Sequence, residues 1–107
     1  MDKYILNDHI PTVCNDLLYW GLWMETANRH VAKTRVGSLE VSTVFLGIDH
    51  NFLGQGKPLL FETMIFGGDD SIASDFCNRY STWVEAEEGH KAAILVAEII
   101  ATIEKPR

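Results

Sequence analysis

The chain has 107 residues, of which 47% are hydrophobic and 22% charged, and its net charge is −6. This length fits one domain over residues 1–107, because two half-sized cores would each bury too little surface to be stable. The acidic balance argues against ordinary nucleic-acid binding, which needs clustered Lys and Arg, and no stretch reaches the ~20 uncharged apolar residues that span a bilayer.

The elements are expected in the following order. Tyr4-Ile5-Leu6 reads as a short edge strand ended by Asn7-Asp8. Pro11 and Asn15-Asp16 lead into a helix from Asp16 to Asn28, with Leu17, Trp20, Met24 and Ala27 as its helical stripe. Asn15 or Asp16 can cap it, and Arg29-His30 suit its negative end. Val31 to Val36, Gly37-Ser38 and Leu39 to Leu46 then read as a β-hairpin. Glycine at the first of two loop positions suits a type II′ turn. That turn pairs Val36 with Leu39, Arg35 with Glu40 and Thr34 with Val41, and one face then carries Ala32, Thr34, Val36, Leu39, Val41 and Phe45.

Gly47 to Pro58 is a Gly-rich loop of the length that is often functional. Leu59 to Phe66 is apolar on both alternating faces, which predicts a central strand covered on both sides and ended by Gly67-Gly68. Asp69 to Asp75 reads as an acidic, turn-rich excursion and Asn78 to Ser81 as a short strand. Thr82 and Glu85 match a capping box at the head of a last helix, Trp83 to Ile103. Gly89, Ala92, Val96, Ile99 and Ile103 form its predicted apolar stripe, widened by Ala93 and Ile100, opposite a solvated face of Glu87, Lys91, Glu98 and Thr102. Ile94 and Leu95 fall outside that stripe and suit either a second subunit, in a homodimer, or further coverage of the sheet. The expected fold is α+β, an antiparallel sheet of about four strands with two helices packed mainly on one face.

Cys14 and Cys77 lack metal-type spacing, and the acidic N-terminus is too poor in apolar residues for a secretion signal. Both cysteines are therefore expected as free thiols in a reducing cytoplasm. Between Asp69 and Glu88 six acids face only Arg79, a balance that suits either plain solubility or a basic protein partner.

Several polar residues invite chemistry. Asp49 and His50 open the Gly-rich loop as an acid beside an imidazole, although adjacent residues of an extended chain point to opposite sides and a backbone-bracing turn is the simpler reading. Glu62 sits inside an apolar strand, where an ionised carboxylate needs Arg35, Lys33 or a ligand. Gly54-Gln55-Gly56-Lys57 lacks the full phosphate-loop pattern and enters a strand rather than a helix. Glu87 and His90 share a helix face, but no zinc motif accompanies them, and no metal or cofactor is expected. Tyr80 and Trp83, with Arg35 and the amides before the last helix, would stack and hold a nucleotide-like ligand if they lined one cleft. Trp20 and Trp23, like these, are otherwise core-filling aromatics.

The strings Leu46-Gly47-Ile48-Asp49-His50-Asn51-Phe52, Pro58 to Gly68, Arg79 to Ala86 and Gly89-His90, with Val41 to Phe45, occur in one order. Over roughly Asp16 to His90 the chain resembles a widespread family of small uncharacterised proteins of tailed bacteriophages. The resemblance implies a phage accessory protein working in the bacterial host cytoplasm, and it carries no catalytic residue. The leading expectation is a binding protein for counter-defence or host takeover, which blocks a bacterial defence protein or sequesters a signalling nucleotide. A small hydrolytic or phosphoryl-transfer enzyme using Asp49, His50, Glu62 or His90, or a minor virion or assembly protein, is the alternative.

Overall fold

A computed structural model of the chain describes residues 2–68, 73 and 75–104. Within it, β1 (Tyr4–Asn7) and β2 (Ile10–Val13) form a two-stranded hairpin, followed by α1 (Leu17–Thr26). β3 (His30–Val36), β4 (Leu39–Phe45), β5 (Phe61–Gly67) and β6 (Cys77–Tyr80) make an antiparallel sheet in the order β3-β4-β5-β6. α2 (Trp83–Glu104) runs back across it and touches all four strands. The fold is α+β.

The β3–β4 hairpin has the register that its turn predicts, with Val36 opposite Leu39, Arg35 opposite Glu40 and Thr34 opposite Val41. Of the two turn residues only Gly37 has positive φ, at 60°, as a type II′ turn requires. Antiparallel pairing then sorts side chains row by row. Leu39, Val41, Thr43 and Phe45 of β4 and Phe61, Thr63 and Ile65 of β5 are fully buried on the α2 side. Full burial of each large member of such a set stabilises by about 1.5–3 kcal/mol before entropy.

β5 differs from its expected two-sided burial. Its alternate residues Glu62, Met64 and Phe66 lie on the sheet face away from α2, and Phe66 is 49% exposed. The N-terminal hairpin is a second difference, because Ile10–Val13 is a strand rather than a lead-in to α1. Asp8 and His9 form its turn with φ of 50° and 70°, a left-handed conformation that Asp and His adopt more readily than most residues. Proline at Pro11 is tolerated because the two-stranded ribbon leaves its outer side unpaired.

Asp16 caps α1, its carboxylate accepting the Tyr19 amide at 3.1 Å. The helix is anchored by Trp20, whose indole N–H donates to the Tyr4 and Gly47 carbonyls at 3.1 and 3.2 Å. Trp23 meets Phe45 edge-on at 5.8 Å, on the sheet face that α2 also covers. Gly47, with φ of 78°, suits this joint because that left-handed backbone is strained for residues with a side chain.

α2 opens with the predicted capping box: the Thr82 hydroxyl accepts the Glu85 amide at 3.1 Å while Glu85 accepts the Thr82 amide at 3.1 Å. Its buried stripe is shifted by about one residue from expectation. Ala86, His90, Ala93, Ala97 and Ile100 face the sheet, whereas Ile99 and Ile103 are 62% and 65% exposed. Small alanines let the helix lie close to the strands, and the closest approach is at Gly89, where any Cβ would overlap the Tyr80 ring. Of the expected Asp69–Asp75 excursion, residues 69–72 and 74 lie outside the described residues.

Candidate functional site

Glu62 is held by a residue on the next strand. Arg79 lies directly opposite on β6, and its Nε donates to the Glu62 carboxylate at 2.9 Å. The Glu62 side chain is 15% exposed, so the pair is partly shielded and a ligand would have to displace an existing ion pair. The expected partners Arg35 and Lys33 instead flank Glu40, at 3.9 and 3.8 Å. Cys77 completes the Glu62 cluster. Burial, and then the Glu62 charge, push its thiol above the ordinary value, which lowers its thiolate fraction and its reactivity.

Asp49 braces its own loop. One carboxylate oxygen accepts the amides of Asn51 and Leu59 at 2.7 and 2.9 Å, an Asx turn closed across the loop. His50 donates from Nδ1 to the Ile48 carbonyl at 2.9 Å, and its amide donates to Leu59. Asn51 ties the loop's far side through the Gln55 and Lys57 carbonyls. The loop is thus stapled to its own ends.

His90 is 4% exposed between α2 and the sheet. Its Nδ1 lies 2.7 Å from the Thr43 hydroxyl and its Nε2 2.8 Å from that of Thr34, while Thr43 and Thr63 bond each other at 2.6 Å. Both ring nitrogens are occupied, and burial holds the imidazole below its ordinary pKa. His90 therefore satisfies a buried polar network rather than facing a ligand, and it lies on the opposite side of the sheet from Glu62. Among the described residues no three His, Cys, Asp or Glu side chains are grouped to hold a metal ion.

The expected nucleotide cleft also fails to assemble. Arg35 points from the outer face of β3, one sheet edge, whereas Tyr80 lies on the α2 side of β6, the other edge. Tyr80 packs beneath Gly89, and its buried hydroxyl has no hydrogen-bond partner. Trp83 meets Phe61 edge-on at 6.1 Å, and its ring stacks on His9 at 3.6 Å and 1°.

That stack borders an open groove of about 490 Å³ between β2 and the first turn of α2. Ile10, Pro11, Trp83 and Val84 supply apolar walls, and Glu87 stands on the rim with Thr82. Ile10 and Val84 are each 66% exposed, so the groove displays apolar surface to solvent. Of the groove residues, the sequence points to Trp83 as a ligand-binding candidate, to Glu87 as a helix-face acid and to Thr82 as a helix cap. His9, Ile10, Pro11 and Val84 were missed because the strand was ended at Asn7-Asp8; two left-handed-tolerant residues between short apolar runs were the available signal.

Searches of family models, of curated proteins and of solved structures each find no match to this chain. No helix among the described residues is long and apolar enough to cross a membrane.

Proposed function

We propose that this protein acts by binding, without catalysis, and that its groove takes apolar and basic side chains of a protein partner. The groove itself carries this reading: Ile10 and Val84 are open to solvent beside the partly buried Trp83, with the acidic Glu87 among the lining residues. Asp8 at the hairpin turn and the first turns of α2 add negative charge nearby, which would steer a basic partner. The resemblance to small tailed-phage proteins suggests the setting, counter-defence or host takeover in the bacterial cytoplasm with a defence protein as the partner. Enzymatic readings have less support, because Glu62 and His90 lie on opposite faces of the sheet and the Asp49 carboxylate is engaged by backbone amides. Sequestration of a nucleotide has less support too, since Arg35 is remote from Tyr80 and one face of Trp83 is covered by His9.

The test is affinity purification from infected cells, with mass analysis of both the protein and small-molecule fractions. One host protein should co-purify with the wild-type chain, weaken with added salt, and be lost from Ile10→Glu and Val84→Glu, whose positions are too exposed to disturb the core. A nucleotide released intact on denaturation, with no groove-dependent protein, would overturn the reading.

A further inference from the structure

We infer that the groove between β2 and α2 recognises an arginine side chain of the protein partner, a refinement that rests on the binding role proposed above, and that Glu87 is the counter-charge. The three acids at the head of α2 are not equivalent. Glu85 is taken up by the cap, accepting the Thr82 amide and hydroxyl at 3.1 and 3.0 Å. Glu88 pairs with Lys91 at 3.3 Å. Glu87 has no ion-pair partner among the described residues, and of the three it is the one that lines the groove.

The remaining polar lining also favours a donor. Pro11 offers a carbonyl and no N–H, and its row follows the turn-closing pair Asn7–Ile10, so that carbonyl points away from β1. The Thr82 amide and hydroxyl are both engaged with Glu85. A side chain entering the groove therefore meets acceptors, and arginine and lysine are the side chains that carry donors and no acceptor.

The apolar walls decide between those two. Ile10 and Val84, each 66% exposed, would line the stem while the head reaches Glu87. A guanidinium is planar and weakly hydrated, so it lies against aromatic and apolar surface at a lower desolvation cost than the compact, strongly hydrated lysine ammonium. Trp83 and Glu87 are four residues apart on α2, which sets the indole and the carboxylate on one helix face. Arginine can engage both at once, stacking on an aromatic and donating two parallel bonds to a carboxylate.

The experiment is a heteronuclear NMR titration of the full-length chain with a blocked pentapeptide, Ala-Leu-Arg-Leu-Ala, and with its lysine and citrulline counterparts, citrulline being the neutral isostere of arginine. The arginine peptide should shift the amides of Ile10, Val84 and Glu87 and the Trp83 indole. It should bind at least about threefold more tightly than the lysine peptide and about tenfold more tightly than the citrulline one. Glu87→Gln should weaken its binding at least about fivefold, whereas Glu88→Gln, the same charge change one residue away, should alter it less than about twofold at physiological salt. Equal affinity for the three peptides, an equal response in the two variants, or no shift at the groove overturns the inference. The binding role is read separately in the infected-cell purification. A host protein lost from Ile10→Glu but retained by Glu87→Gln overturns the arginine assignment alone, whereas the lack of any groove-dependent protein overturns the binding role itself.

Discussion

α1 and α2 are both strongly apolar helices, but the chain treats them differently. α2 lays Ala86, His90, Ala93, Ala97 and Ile100 on the sheet and turns Glu87, Lys91 and Glu98 to solvent. α1 buries no residue, touches the body through Trp20, Trp23 and Met24, and leaves leucines and a tyrosine outside. Apolar content alone therefore does not locate a core; the decisive feature is whether a surface of matching shape lies within reach of the same chain. At α2 the sheet supplies that surface. At α1 the short β1–β2 hairpin covers one side and nothing among the described residues covers the other.

Substitutions should break this contrast unequally. The largest effect is expected at Gly89, where the leucine of Gly89→Leu would overlap the Tyr80 ring and destabilise by about 3 kcal/mol, read by chemical denaturation. An equally drastic change on α1, Leu18→Ser, should alter the stability of the monomer by less than about 0.5 kcal/mol. Equal losses at the two positions would mean that α1 is as integral to the monomer as α2.

An intermediate effect is expected in the polar network. Thr43→Val keeps the shape but strips His90 Nδ1 and the Thr63 hydroxyl of a partner, at a cost of about 1–3 kcal/mol. A more gradual effect is a dependence on pH. His90 has a depressed pKa in the fold, so above the ordinary value of 6.5 both folded and unfolded states hold it neutral and it contributes no slope. As pH falls below that value the unfolded chain takes up a proton that the fold excludes. Stability then declines by at most about 1.4 kcal/mol per pH unit, levelling off once the folded pKa is passed. Denaturation midpoints from pH 7 downward should show this slope in the wild type and a shallower one in His90→Gln. Parallel curves for the two chains would show that His90 is not protected from protonation.

The parts legible in the sequence are those set by neighbours along the chain. Gly37-Ser38 dictated the β3–β4 register, and Thr82 with Glu85 marked the start of α2, because turn and cap chemistry act over a few residues. The stripe of α2 was misphased because pattern reading prefers Ile99 and Ile103 to a histidine. His90 can be buried only because Thr34 on β3 and Thr43 on β4 supply its hydrogen bonds, with Thr63 on β5 bonded in turn to Thr43. Glu62 was recognised as needing a partner, but Arg79 could be identified only once β6 paired with β5. The groove beside Trp83 was illegible for the same reason, since its other wall comes from a hairpin more than seventy residues earlier in the chain. Local composition thus fixed the elements, their caps and the tight turn. Which face each element buries, and which polar groups satisfy one another, was decided by long-range packing, because those free energies depend on partners brought together only when the sheet closes.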